Sequence, residues 1–117
     1  MKVHSHLGAG LLESVYEACL CHELARQGIP FERQVATAVQ YDGVHVDCGF
    51  RIDLVVDRKL IVEIKAVERL LPVHESQLFT YLKLTGLSLG LLINFNVRHL
   101  RDGVVRRVIT SQGRREA

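Results

Sequence analysis

The sequence contains no tryptophan, two prolines and three cysteines, and neither sign of charge is in large excess. Each shortage excludes something. Three cysteines, with Cys19 and Cys21 two apart and Cys48 alone, make no disulfide framework. A Cys-x-Cys without a second pair is no zinc signature either, so buried structural thiols are expected. No apolar run approaches the roughly 18 residues that a membrane-spanning helix needs. Met1 to His6 leads into no apolar stretch of the signal-peptide kind, and a cytoplasmic protein without a membrane partner is expected. The formal net charge of +2 is too small to announce a polyanionic partner. Its distribution is uneven, however. From Arg98 onward there are six arginines (98, 101, 106, 107, 114 and 115) against Asp102 and Glu116, a local balance of +4. Such an end suits phosphate contacts and equally suits a solvated, partly frayed tail.

The remaining composition is that of a globular chain. Hydrophobic residues make up 48% and charged residues 24%, which excludes a disordered chain, and 117 residues suffice for one domain, 1–117, with one core. Leu11, Val15 and Cys19, with Leu12, Tyr16, Leu20 and Leu24 alongside, predict a helix over 8–27, stopped at Gly28. Strict alternation from Phe31 to Tyr41 predicts a strand, and Asp42-Gly43 predicts a hairpin turn. Further strands are expected at 44–56 and 60–66. After Pro72 in a loop, a helix over 73–85 is expected, with Leu78 and Leu82 as its core stripe. The near-continuous apolar run from Leu87 to Phe95 predicts a strand buried on both faces, and Val104 to Ile109 a last strand. The order α-β-β-β-α-β-β implies a mixed sheet flanked by helices: an antiparallel meander, then a parallel strand reached by a helical crossover.

Three residues carry the chemistry. Glu63 and Lys65 are two apart in a strand, hence on one face. Asp53 and Glu63 are equidistant from Arg58, so a reversal there sets them opposite or one diagonal apart. Two close carboxylates repel unless a cation sits between them, and hard oxygen donors suit Mg²⁺ or Mn²⁺. A lysine beside that cation can orient or help deprotonate a water, which is equipment for phosphodiester hydrolysis. The same three residues also make an ordinary cross-strand ion pair. Glu13 lies on a helix expected near the sheet, where it can also serve simply as a first-turn carboxylate. Gln77 and Tyr81 share a helix face, suited to contacting a phosphate or base without charge.

In series these residues resemble a known family. Gly10-x-x-Glu13-x-x-Tyr16 resembles the motif that names the GxxExxY protein family of the PD-(D/E)xK nuclease superfamily. Asp53 followed by Glu63-Ile64-Lys65 resembles the superfamily's core, with Ile52 where a proline often stands. Gln77-x-x-x-Tyr81 resembles the QxxxY motif of its recombination-type exonuclease branch, and the run Gly90 to Asn96 also matches in order. The resemblance covers residues 7–109.

It implies a restriction-endonuclease-like fold, and Mg²⁺ (or Mn²⁺) held by Asp53, Glu63 and the backbone carbonyl of Ile64. It further implies that Lys65 positions the attacking water, that Glu13 supports the metal directly or through water, and that Gln77 and Tyr81 contact the substrate strand. The expected partner is nucleic acid, DNA foremost. The small size leaves specificity to a homodimer or a partner protein. The alternative is a nucleic-acid- or protein-binding module that keeps the nuclease fold without turnover.

Overall fold

Two stretches of chain reversal set the sheet. At Asp42-Gly43 and again at Asp57-Arg58 the backbone takes positive φ, and these turns join β1 (Phe31–Tyr41), β2 (Val44–Val56) and β3 (Leu60–Lys65) into the expected meander. The computed structural model describes residues 2–110 and 115–116, the side chains at 48, 49, 115 and 116 excepted. Two helices precede the meander, α1 (Lys2–Leu7) and α2 (Glu13–Arg26). After it come α3 (Pro72–Thr85), β4 (Leu89–Asn94), a 3₁₀ turn at Leu100–Gly103, β5 (Val104–Ile109) and the two-residue β6 (Arg115–Glu116). The sheet order is β1-β2-β3-β4-β5-β6, with β3 and β4 parallel and every other pair antiparallel. The order α-β-β-β-α-β-β thus holds for the central elements and lacks α1, the 3₁₀ turn and β6. Arg114 of the basic C-terminal run lies outside the described residues, as does the side chain of Cys48.

The sheet is covered on both faces. On one, Tyr16, Leu20 and Cys21 of α2 pack on Leu54, Val62, Ile64, Ile93 and Phe95. On the other, Leu78, Phe79 and Leu82 of α3 pack on Ile52, Val55, Ile61 and Leu92. Leu92 and Ile93 therefore face opposite layers, which is why β4 reads as a continuous apolar run. Leu78 lies directly on Gly90, where a Cβ would stand 2.7 Å from its Cδ1, so the bare glycine lets α3 approach β4 closely.

The helix expected over 8–27, α2, departs from expectation. It begins at Glu13, not at residue 8, because Gly8 and Gly10 hold φ values of +70° and +96°, which no α-helix accommodates. Leu11, Leu12 and Val15, expected on its apolar stripes, are exposed. Tyr16 organises this segment: its hydroxyl donates to the Gly8 carbonyl at 2.6 Å and accepts the Leu11 amide at 3.1 Å. Its ring, fully buried, stacks on Phe95 at 4.5 Å. Pro72, expected in a loop, is the first residue of α3, the helical position where a missing N–H costs nothing.

Candidate active site

The site begins where the β2–β3 ladder ends. Its last paired residues are Leu54 and Val62. One step further the side chains of Asp53 and Glu63 replace the ladder bonds. The Asp53 amide donates to Glu63 Oε2 at 2.7 Å, and the Ile64 amide donates to Asp53 Oδ2 at 2.8 Å. Strict alternation would set Ile52 on the same face as Leu54. Instead Ile52 and Val55 lie in the α3 layer while Leu54 lies in the α2 layer, so β2 rotates at Asp53. Irregularities of this kind re-aim a side chain. On β1 alongside, Gln34 holds a φ of +49°, and its amide reaches Asp53 Oδ1 at 3.4 Å.

The expected convergence of Asp53 and Glu63 is thus present. Glu63 is 3% exposed and Asp53 half-buried. Burial first, and then the Asp53 charge, push the Glu63 carboxyl up to about 8. Burial likewise raises Asp53, against the pull of the Ile64 amide, while the Lys65 charge lowers both. Lys65 is partly exposed and has no salt bridge among the described residues. The pattern is therefore not the exposed cross-strand ion pair that the three residues also allowed. The backbone around Lys65 is clamped to β4. The Phe95 amide donates to the Lys65 carbonyl at 2.9 Å, and buried Asn94 both donates to Val67 O (2.9 Å) and accepts Val67 N (3.1 Å).

The helices supply the remaining groups. Glu13 and Ser14, at the start of α2, line a cleft of about 150 Å³ with Glu17, Gln34, Asp53 and Ile64. Gln77 donates to the Tyr81 hydroxyl at 3.1 Å, and buried Tyr81 meets Phe50 edge-on. Burial, then the charges of Glu63 and Asp53, raise the Tyr81 hydroxyl, so Tyr81 shares their field. His74, the histidine one turn before Gln77, is used elsewhere: its Nδ1 accepts the Leu71 amide at the start of α3.

Glu17, absent from the residues read as functional in the sequence, joins the site. It is 6% exposed; Oε2 accepts Arg33 at 3.0 Å and Oε1 accepts Gln34 at 2.8 Å. Its charge adds to those that raise Asp53 and Glu63. The available signal was its spacing, one helical turn after Glu13 on the same face.

This donor set fits a hard divalent cation. A buried and a half-buried carboxyl, both with ionised forms disfavoured by desolvation, and Glu63 further by the Asp53 charge, are the groups a cation would stabilise. Among the described residues no three His, Cys, Asp or Glu side chains gather into a cage. One or two carboxylates completed by water and substrate phosphate are what Mg²⁺ commonly takes.

Among the described residues no helix is long and apolar enough to cross a membrane. No curated protein and no solved structure gives a significant match to the chain. The six-stranded, mostly antiparallel sheet flanked by helices is consistent with a restriction-endonuclease-like fold. A family model described as the PD-(D/E)XK nuclease superfamily matches residues 1–108, a span that includes every site residue described above, and the chain belongs to that superfamily.

Proposed function

We propose that this protein is a divalent-metal-dependent nuclease of the GxxExxY kind that hydrolyses phosphodiester bonds, with DNA as the foremost substrate. The observation that supports this best is the reciprocal placement of Asp53 and Glu63 on adjacent strands, with Lys65 next on the Glu63 face. When bound by Asp53, Glu63 and the Ile64 carbonyl, Mg²⁺ or Mn²⁺ supplies Lewis-acid stabilisation of the charge that builds on the phosphate. The chain's own groups do the rest. Lys65 orients a water toward phosphorus and donates to a phosphate oxygen. Glu13 and Glu17 keep the Asp53 side of the cleft polar and acidic. Gln77 and Tyr81, linked to each other, present an amide and a hydroxyl to the substrate strand. Water adds to phosphorus, one P–O bond breaks, and the proton lost by the water is matched by the one that the leaving alkoxide gains.

The test is cleavage of circular and linear duplex DNA, single-stranded DNA and RNA with Mg²⁺, Mn²⁺ or EDTA, beside Glu63→Gln and Lys65→Ala. Cutting that needs metal and is lost in both variants is the expected result. Cutting retained by either folded variant overturns the assignment. One observation favours a second reading, a binding module without turnover: both carboxylates already accept backbone amides. Failure to cut any substrate, with tight nucleic-acid binding intact, would select that reading.

A further inference from the structure

The basic C-terminal run is divided by the fold. Arg107 is bound to Glu75 across the α3–β5 contact. Arg98 and Arg101 take a different course. With His4, Ser5, Gly8 and His99 they line an open groove of about 640 Å³ between α1 and the segment after β4. None of its lining residues is acidic. Both guanidiniums are exposed, and neither has a salt bridge among the described residues. The groove floor is fixed by His4, 8% exposed, whose Nε2 lies 2.7 Å from the Val97 carbonyl.

The groove is tied at both sides to the catalytic elements. Lys65 is in register with Asn94, and the chain runs from there through Phe95 directly into Arg98. On the opposite side, Gly8 is held by the Tyr16 hydroxyl, and the same short loop leads into Glu13. The groove therefore lies at the Lys65 end of β3, the end away from Asp57-Arg58. An acidic pocket that holds two carboxylates repels a polyanion unless positive charge nearby offsets it. Guanidinium forks suit phosphate oxygens, and an open groove of about 640 Å³ with two of them suits a backbone better than a single small anion.

We infer that the Arg98–Arg101 groove binds the sugar-phosphate backbone of nucleic acid flanking the scissile bond. The inference rests on the nuclease reading for its purpose, not for its measurement. The experiment is fluorescence anisotropy of the full chain on labelled duplex and single-stranded DNA in EDTA, across a salt series. The variants are Arg98→Ala/Arg101→Ala and, at the opposite end of β3, Arg58→Ala. Each phosphate contact contributes about 0.9 to the slope of log affinity against log salt on duplex DNA. The double variant should lower that slope by about 1.8 and weaken binding at low salt by about tenfold or more, while Arg58→Ala leaves both unchanged. An unchanged slope in the double variant, an equal loss in Arg58→Ala, or no binding by the parent protein overturns the groove. Competition by millimolar inorganic phosphate as effective as competition by unlabelled DNA also overturns it, since the site would then take isolated phosphate. A lowered slope in a protein that never cuts supports the groove and counts against the nuclease reading alone.

Discussion

The amide of Asp53 donates to the carboxylate of Glu63, while the carboxylate of Asp53 accepts the amide of the residue after Glu63. Each acid thus holds the other's strand. This exchange keeps β2 and β3 connected beyond the last ladder pair without spending the strand edges on each other. It also draws two carboxyls into a buried place where their ionised forms are costly. A fold selected for stability alone would use ladder bonds here; the exchange is instead what concentrates acceptor oxygens at one point.

The metal-free protein should lose stability as pH rises. Glu63 has an ordinary value of 4.5 and is pushed up to about 8 in the fold. Below 4.5 both states carry the proton and the difference vanishes. Between the two values the folded state holds a proton that the unfolded state has released, so stability falls with increasing pH. Above 8 the penalty is complete, with an upper bound of about 5 kcal/mol. Asp53, raised in the same direction by burial, adds to this loss. Urea denaturation in EDTA at pH 5.5 and 8.5 measures it. Glu63→Gln keeps an oxygen acceptor for the Asp53 amide and should flatten the profile. A profile that is flat or rises in the parent protein would remove the buried-acid account.

Metal affinity should depend on Asp53 and not on Lys65, whereas cleavage should depend on both. Asp53→Asn should weaken Mn²⁺ binding by roughly tenfold or more in calorimetry, because an amide cannot replace a charged ligand. Lys65→Ala should leave Mn²⁺ affinity within about threefold of the parent and reduce cleavage by about 10²-fold or more, the scale of a lost acid–base or positioning group. Equal metal affinity in Asp53→Asn would take Asp53 out of the ligand set. Weakened metal binding in Lys65→Ala, together with lost folding, would make Lys65 structural.

Some of this was legible in the residues and some was not. Strands from Phe31 to Lys65 follow from alternation and from two turn sequences, so their bounds agree with the fold to within a residue. The Asp53–Glu63 juxtaposition follows from symmetry about one turn. The rotation of β2 at Asp53 does not, because it arises from side chains replacing ladder bonds, which no periodicity records. The start of α2 was obscured for a similar reason. Leu11, Leu12 and Val15 imitate a helical stripe, whereas Gly8, Gly10 and the distant Tyr16 hydroxyl decide the path. For Glu17 the sequence offered only its spacing from Glu13; its role rests on the packing that brings Arg33 and Gln34 to it.

Tyr16 should be separable into a packing part and a bonding part. Tyr16→Phe keeps the stack on Phe95 and removes both hydroxyl bonds, leaving Gly8 O and Leu11 N without that partner. The expected loss is about 1–3 kcal/mol. Cleavage should fall beyond what that loss explains at temperatures where the variant is fully folded, since the released loop leads into Glu13. Tyr16→Ala loses the stack as well and should cost about 3–5 kcal/mol. Thermal denaturation of the two variants gives the comparison: equal losses would mean that the stack on Phe95 adds nothing beyond the hydroxyl bonds, and an unchanged Tyr16→Phe would mean that the hydroxyl contributes nothing.

The two glycines that touch β4 should rank by what they touch. A Cβ at Gly90 would meet Leu78 Cδ1 at 2.7 Å, the end of a side chain that can shift at some cost to the α3 layer. A Cβ at Gly103 would stand 2.1 Å from the backbone oxygen of Asn94, and that carbonyl cannot move without disturbing the strand whose next residue, Phe95, bonds the Lys65 carbonyl. Gly90→Ala should therefore cost about 1–3 kcal/mol, the usual range for overpacking. Gly103→Ala should cost more, and it should also reduce cleavage, because Asn94 and Phe95 hold the end of β3 that carries Lys65. Chemical denaturation and a cleavage rate for each variant decide the order. A Gly103→Ala protein as stable and as active as Gly90→Ala would show that the β4 clamp does not position Lys65.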